Sequence, residues 1–252
     1  MYSYLRSIAT VMLAALSIAC YLTAQDAVPN EIIRRTFIIK TSDGNSFGTA
    51  FAMDYKNKLY IVTARHVAAG YPETNAMVQI RRDNMWQTVH TVRILHPPSN
   101  DVDIAIFETE QVVEKPFEIA PAGKTGAVTL GQQVWFLGFP HGLGSRSNNL
   151  EFPFIKKGTM SAVDSTNPDS FVLYIDGFNN PGFSGGPILF WDFSQQKYMI
   201  LGVVQGFKNE NAKMIVNGQQ VDTPVSVNSG ILAGYHIEHA CQAIEASLKQ
   251  QN

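Results

Sequence analysis

Cysteine is nearly absent from this chain: two of 252 residues, Cys20 and Cys241. If a leader is cut after Ala24, one cysteine remains and no internal disulfide can form, so the fold has to stand on its packed core. Zinc-type ligand spacing is lacking too. His236 and His239 lie near Cys241 without a second ligand pair, and they read as part of a C-terminal helix; no metal or other cofactor is expected. There is no basic surplus, since 19 Lys and Arg face 21 Asp and Glu for a net charge of −2. A nucleic-acid binder displaces counterions with cationic side chains, so nucleic acid is excluded as the main partner. Disorder is excluded by a 45% hydrophobic content at this low net charge. No repeat of the kind that builds solenoids or propellers is visible.

The first residues are set apart from the rest. Arg6 is the sole charge before Asp26, and an unbroken run of apolar or small residues fills Ser7 to Ala19. That is the layout of a secretory signal peptide over residues 1–24. The apolar stretch Ile8 to Leu22 has 15 residues, short of the roughly 17–25 that a spanning helix needs. The chain is therefore expected to be exported, periplasmic or secreted, after cleavage behind Ala24. A second option is lipid on Cys20, because Leu16-Ser17-Ile18-Ala19-Cys20 resembles a bacterial lipoprotein box with Ser17 in place of the usual Leu. Membrane contact is expected only through such a lipid or an uncleaved signal.

Beyond the leader, strand patterns dominate. Short β-branched or aromatic runs lie at Phe37–Ile39, Phe47–Met53, Leu59–Thr63, Met77–Ile80, Val89–Leu95 and Asp103–Phe107. A second set follows at Gln133–Leu137, Phe171–Ile175, Pro187–Phe190, Tyr198–Gln205, Met214–Val221 and Val225–Tyr235. Gly, Pro, Asn and Asp separate most of them, the pattern of an all-β sandwich or barrel. Asn217-Gly218 predicts a tight hairpin with positive φ angles. Thr63 to Gly70 allows one helical turn. Ile237, Ala240, Cys241, Ile244 and Leu248 share a helical face, which predicts a terminal helix over 237–249. The Pro- and Gly-rich stretch Lys115 to Gly131 divides the strands into two units, 30–118 and 119–236.

The sharpest local feature is Asn180-Pro181-Gly182-Phe183-Ser184-Gly185-Gly186-Pro187. Glycines beside a serine admit backbone angles closed to other residues and let a substrate backbone approach. Adjacent N–H groups in such a turn can converge on one spot as an oxyanion hole. Upstream, Thr63-Ala64-Arg65-His66 places a histidine just past the end of an apolar strand. Asp103 opens another apolar strand, and a buried carboxylate there needs a partner such as a histidine Nδ1–H. Asp101, two residues earlier, is the competing acid.

With these flanks and in this order, His66, Asp103 and Ser184 resemble the trypsin-like serine peptidases of the chymotrypsin fold. The nearest branch is the disulfide-free bacterial one that includes the high-temperature-requirement proteases. Gly48-Thr49-Ala50-Phe51, Gly138-Phe139-Pro140 and the closing strand near Gly230 share in the resemblance, which runs from Ile32 to Leu248. It implies two six-stranded antiparallel β-barrels with a C-terminal helix, and a serine endopeptidase acting on polypeptides. In that frame Ser184 is the nucleophile, His66 the base and Asp103 its orienting acid, with the N–H groups of Gly182 and Ser184 as oxyanion hole. Phe178 falls at the base of the primary specificity pocket. No acid stands there, so a small or medium apolar residue is expected before the cut. Val204, Gln205 and Gly206 belong to the strand that pairs with the substrate backbone. Phe183 departs from the family pattern, which has Asp or Asn at this position. Two other readings stand beside this one. The first is a protease-fold protein that binds peptides without cutting them. The second is an α/β-hydrolase esterase, which Gly182-Phe183-Ser184-Gly185-Gly186 matches in letters but which needs alternating helices and a histidine downstream. No peptide-binding regulatory module is expected after the barrels.

Overall fold

Asparagine at two-residue turns sets the first hairpins. Lys56 and Asn57 both have positive φ, as do Asp83 and Asn84. That backbone matches the right-handed twist of antiparallel strands. The computed structural model describes residues 27–112, 119–123, 128–217 and 219–250. The expected leader, Cys20 and much of the 115–131 connection lie outside the described residues.

The first unit begins with a short helix α1 (Asn30–Arg34), followed by β1 (Thr36–Lys40), β2 (Phe47–Tyr55) and β3 (Lys58–Thr63). The single-turn helix α2 (Arg65–Ala68) comes next, then β4 (Met77–Arg82), β5 (Met85–His90), β6 (Arg93–Leu95) and β7 (Ala105–Val112). Their order in the sheet is β5-β4-β1-β2-β3-β7-β6. Seven strands stand where six were expected, because one strand is bent. β5 pairs with β4 and β6 with β7, and only Thr91 and Val92 separate them. The bend brings Thr74 against Arg93, so the run just before β4 meets β6 and closes the ring. Phe37, Ile39, Ile61, Val78 and Phe107 are among the side chains that fill it.

The second unit is a closed barrel in the order β11-β12-β15-β14-β13-β8. Its members are β8 (Gln133–Gly138), β11 (Phe154–Asp164), β12 (Val172–Asp176), β13 (Pro187–Asp192), β14 (Lys197–Val216) and β15 (Gln219–His236). A small hairpin, β9 (Ser145–Ser147) with β10 (Leu150–Phe152), interrupts between β8 and β11. Sequence patterning missed β11, whose Lys156-Lys157-Gly158 and largely exposed surface hide the alternation. Three runs expected between Tyr198 and Tyr235 are in fact two long strands, paired out to Val216 and Gln219 where the hairpin was predicted.

The terminal helix α3 (Glu238–Lys249) covers the expected span and ties the two units together. Tyr55 donates to Glu245 at 2.8 Å, and Arg93 donates to Ser247. Arg93 also grips the buried Glu108, shared with Lys58, each at 2.7 Å. Burial raises the Glu108 pKa, yet the hydrogen bonds from Lys58 and Arg93 outweigh it and leave the carboxyl below its ordinary value. At the other end of α3, His236 Nδ1 accepts from the Glu238 N–H, and His239 Nε2 accepts from the Phe171 N–H at 2.9 Å. Burial pushes the Cys241 thiol up to about 12, which keeps it protonated and unreactive. Among the described residues, no group of three metal-ligating side chains lies together.

Burial first, and the charge of His239 second, push His236 down to about 4 from an ordinary 6.5. Below pH 6.5 the unfolded chain takes up a proton that the native chain refuses, so stability falls with pH until about pH 4. Urea unfolding is expected to show a loss of about 2 kcal/mol from this residue between pH 7 and 5. His236→Asn is expected to flatten that dependence. An unchanged slope in the variant would mean that His236 is not held neutral.

Candidate active site

Asp103 reaches His66 twice. Its Oδ1 accepts the His66 backbone N–H at 2.9 Å, and its Oδ2 lies 2.6 Å from the imidazole Nδ1. One carboxylate thereby fixes both the backbone of α2 and the ring that α2 carries. Asp103 precedes β7 rather than lying in it, but Val102 and Ile104 on either side are fully buried and pin it in place. Arg65 donates to the carbonyls of Pro97 and Asn100, holding the approach to Asp103. Asp101 stays exposed, its N–H bonded to Ser99 Oγ, and takes no part in the His66 contact. Half of the imidazole surface is open to solvent, so Nε2 remains accessible from the cleft.

The Gly182–Gly186 turn brings Ser184 to the same cleft. Gly182 has φ +104°, and a Cβ there would stand 2.3 Å from the Phe139 carbonyl oxygen. Gly185 has φ +87°, and a Cβ there would stand 2.1 Å from the Thr49 carbonyl oxygen. Neither position admits a side chain. Thr49 is the anchor from the first barrel. Its N–H donates to the Ser184 carbonyl at 2.8 Å, and its hydroxyl donates to the Gly182 carbonyl at 2.6 Å. The same hydroxyl accepts the Phe139 N–H at 3.1 Å, while Thr63 Oγ1 donates to the Thr49 carbonyl at 2.7 Å.

Two further bonds aim the candidate oxyanion donors. The Pro181 carbonyl accepts the His141 N–H at 2.8 Å, and the Phe183 carbonyl accepts the Gly186 N–H at 2.9 Å. In a trans peptide the N–H points opposite to its C=O, so the Gly182 and Ser184 N–H groups are both turned away from those partners. Neither has a backbone acceptor among the described residues. Phe183 fits this turn without the family's acid. Its ring is fully buried, meeting Phe136 edge-on at 5.4 Å, so packing anchors the turn where a carboxylate otherwise does.

The Ser184 hydroxyl donates to the Gln205 carbonyl at 2.8 Å. Gln205 is the extra residue of a bulge between Val204 and Gly206, and the bulge turns its carbonyl toward the serine. Gly206 is open, with nothing within 4 Å of where a Cβ would stand. Val204 needs correction as a substrate-binding residue. Its carbonyl accepts the Gly185 N–H and its N–H donates to the Gly186 carbonyl, so both groups brace the nucleophile turn. Phe178 does not form a buried pocket floor, being 55% exposed. Lys156 Nζ donates to the Phe178 carbonyl at 2.7 Å and to Asn180 Oδ1 at 3.0 Å, and lies over the Phe178 and Phe183 rings. Burial holds its pKa below the ordinary lysine value. Asn228 Nδ2 donates to the Asn179 carbonyl at 2.6 Å, closing the other side of this segment.

Sequence reasoning missed the Thr49 hydroxyl, the His141 N–H and Lys156. Gly48-Thr49 was visible as a motif, but the Thr49 hydroxyl bonds to Gly182 and Phe139, 133 and 90 positions away. It also missed Glu151, which is buried and receives both Arg81 Nε at 2.9 Å and Nη2 at 2.8 Å. Arg81 Nη2 donates in addition to the Gly142 carbonyl at 2.8 Å. A β4 residue thus clamps the loop whose His141 N–H aims the Gly182 peptide.

Two β-barrels, with a His–Asp pair on one and a glycine-cradled serine on the other, make the chymotrypsin-like architecture. The family model of the trypsin-like peptidase domain matches residues 48–195, more than half of the chain. The chain belongs to that family, and its class is serine-type endopeptidase. Among solved structures it is similar to a serine endoprotease from Yersinia pestis, at TM-score 0.57 and 17% identity over 90% of this chain and 70% of that one. It is also similar to the Rv3671c protease from M. tuberculosis in its active form, at TM-score 0.53 and 16% identity over 89% and 82% of the two chains. The HtrA-type protease AlgW with tripeptide aligns at TM-score 0.56 and 16% identity, over 88% of this chain and 62% of AlgW. No curated protein matches the chain by sequence.

Arg81→Met leaves Glu151 buried with only Arg146 beside it, at 3.4 Å. Breaking a buried ion pair from one side costs about 3–5 kcal/mol, and urea unfolding at pH 7 is expected to show a loss of that order. Fluorophosphonate labelling of the folded fraction is expected to slow as the 139–142 turn loosens. A variant as stable as the native chain would remove the clamp from the account.

Proposed function

We propose that this chain cleaves peptide bonds through an acyl-enzyme on Ser184, with His66 as base and Asp103 as its orienting partner. The observation that carries the reading is the 2.6 Å contact between His66 Nδ1 and Asp103 Oδ2, set across the cleft from the Gly182–Gly186 turn. With Nδ1 committed to a carboxylate, Nε2 is the nitrogen left to accept a proton. Rotation about the Ser184 Cα–Cβ bond takes the hydroxyl from the Gln205 carbonyl to that nitrogen. Oγ then bonds to the scissile carbonyl carbon while its proton passes to His66. The negative oxygen is received by the Gly182 and Ser184 N–H groups. His66 returns the proton to the leaving amine as the C–N bond breaks. Water repeats the sequence in reverse and frees the acid.

One observation favours a second reading, in which the fold binds peptides without cutting them: the Ser184 hydroxyl is bonded to Gln205 rather than to His66. Labelling by a fluorophosphonate separates the two, since only an activated serine reacts. The apolar run before Asp26 supports export. N-terminal sequencing of the secreted or periplasmic protein checks it, and an intact Met1 would oppose it.

Ser184→Ala is expected to keep the fold and lower kcat by about 10⁴–10⁶-fold. Asp103→Asn is expected to lose about 10⁴-fold near neutral pH, because the amide can favour the wrong imidazole tautomer, whereas Asp101→Asn is expected to stay near native. Peptide hydrolysis by purified variants measures all three. If the Asp101 variant proved the crippled one, the acid would be misassigned.

A further inference from the structure

The largest feature that the catalytic residues do not use is the arm formed by β14 and β15. Pairing of β14 with β13 ends at Val203, yet β14 continues to Val216 with β15 as its one partner. β15 in turn pairs with β12 only from Ile231 to Tyr235. Beyond Phe207 the two strands therefore form a two-stranded ribbon with no third strand among the described residues. Such a ribbon is marginally stable in water, and its outer edges present unpaired N–H and C=O groups.

The outer edge of β14 starts inside the active-site cleft. Gln205, Gly206, Phe207 and Lys208 line the same hollow as His66 and Asp103. Val204 has both backbone groups engaged, and Gly206 has open space before it, so the free edge begins there. A peptide laid antiparallel on this edge with its scissile carbonyl at Ser184 runs toward its own N-terminus along Phe207, Glu210 and Lys213 to the tip. At the tip Met214, Ile215 and Val216 are exposed, Ile215 at 70%. Lys208, Glu210 and Lys213 mix both charges along the way, which favours neither acidic nor basic chains.

We propose that the β14 edge from Gly206 to Val216 is an extended acyl-side binding strip, and that its occupant is an unfolded segment of the substrate itself. The inference rests on the peptidase reading and adds to it the class of substrate: chains unfolded for a long stretch before the cut, with apolar residues at its far end. At about 3.3 Å per residue the strip accommodates on the order of ten upstream residues. Bound main chain supplies the third strand that the ribbon lacks.

The test uses quenched fluorescent peptides that are identical around the cut and carry about three or about ten residues upstream. The longer peptide is expected to show kcat/KM higher by about tenfold or more, mainly through KM, the return of a few net hydrogen bonds. Lengthening on the downstream side is expected to give no such gain. N-methylation of the distant upstream amides is expected to abolish it. A chain in which an Asn-Gly turn joins Asn209 to Asn228, replacing 210–227, is expected to keep short-peptide turnover and lose the length effect. Equal rates for both peptides, or a length gain that survives N-methylation or loss of the arm, would overturn the strip. So would an arm-dependent dimer in sedimentation with no length effect, since the edge would then serve a second copy of this chain. Absence of both hydrolysis and Ser184 labelling removes the peptidase reading instead; anisotropy of the long peptide on Ser184→Ala, against the short one, then still decides the strip.

Discussion

Gly182 and Gly185 let the nucleophile turn sit directly against main-chain atoms of both barrels, and the geometry of the cleft depends on that approach. A side chain at either position would collide with the carbonyl oxygen of Phe139 or of Thr49. With the space closed, Thr49 can bond two carbonyls of the turn at once. The neighbouring Pro181 and Phe183 carbonyls accept the His141 and Gly186 N–H groups, which leaves the Gly182 and Ser184 N–H groups of those planar peptides turned the other way. The two candidate oxyanion donors are thus aimed by backbone packing.

Charge plays a supporting part, at the seams between elements. Glu108 with Lys58 and Arg93 joins the first barrel to α3, and Glu151 with Arg81 joins that barrel to the 139–152 loop. Both carboxylates are buried and multiply bonded, so each is costly to break and adds directional restraint that apolar contact lacks. The packed interiors, with Phe51, Phe136, Phe183 and Phe190 among the fully buried rings, supply the bulk of the stability without any disulfide.

His66 and Ser184 were legible because their neighbours are diagnostic at short range. An apolar strand ending in Thr-Ala-Arg-His, and a serine among glycines, state their own local geometry. Asp103 was legible only as one of two acids; its buried neighbours Val102 and Ile104 decide that it, rather than Asp101, turns inward. β11 escaped notice since most of its side chains face solvent, which removes the alternation on which strand reading relies. Val204 looked like part of a substrate edge, but its two backbone groups are spent on Gly185 and Gly186. A sequence pattern reports which residues are apolar and not where a peptide group points.

The amino-acid sequence alone determined the β class, the hairpin between Val216 and Gln219, the terminal amphipathic helix and the choice of Ser184 and His66 as candidates for nucleophile and base. These follow from hydrophobic period and backbone permissiveness, which act over a few residues. Tertiary structure decided the Thr49 anchor, the Arg81–Glu151 clamp, the Lys156 brace and the bulge that aims Gln205, all of them contacts over long sequence separations. Partners so distant are chosen by how the barrels meet. No local preference encodes which carbonyl will face which donor once they do.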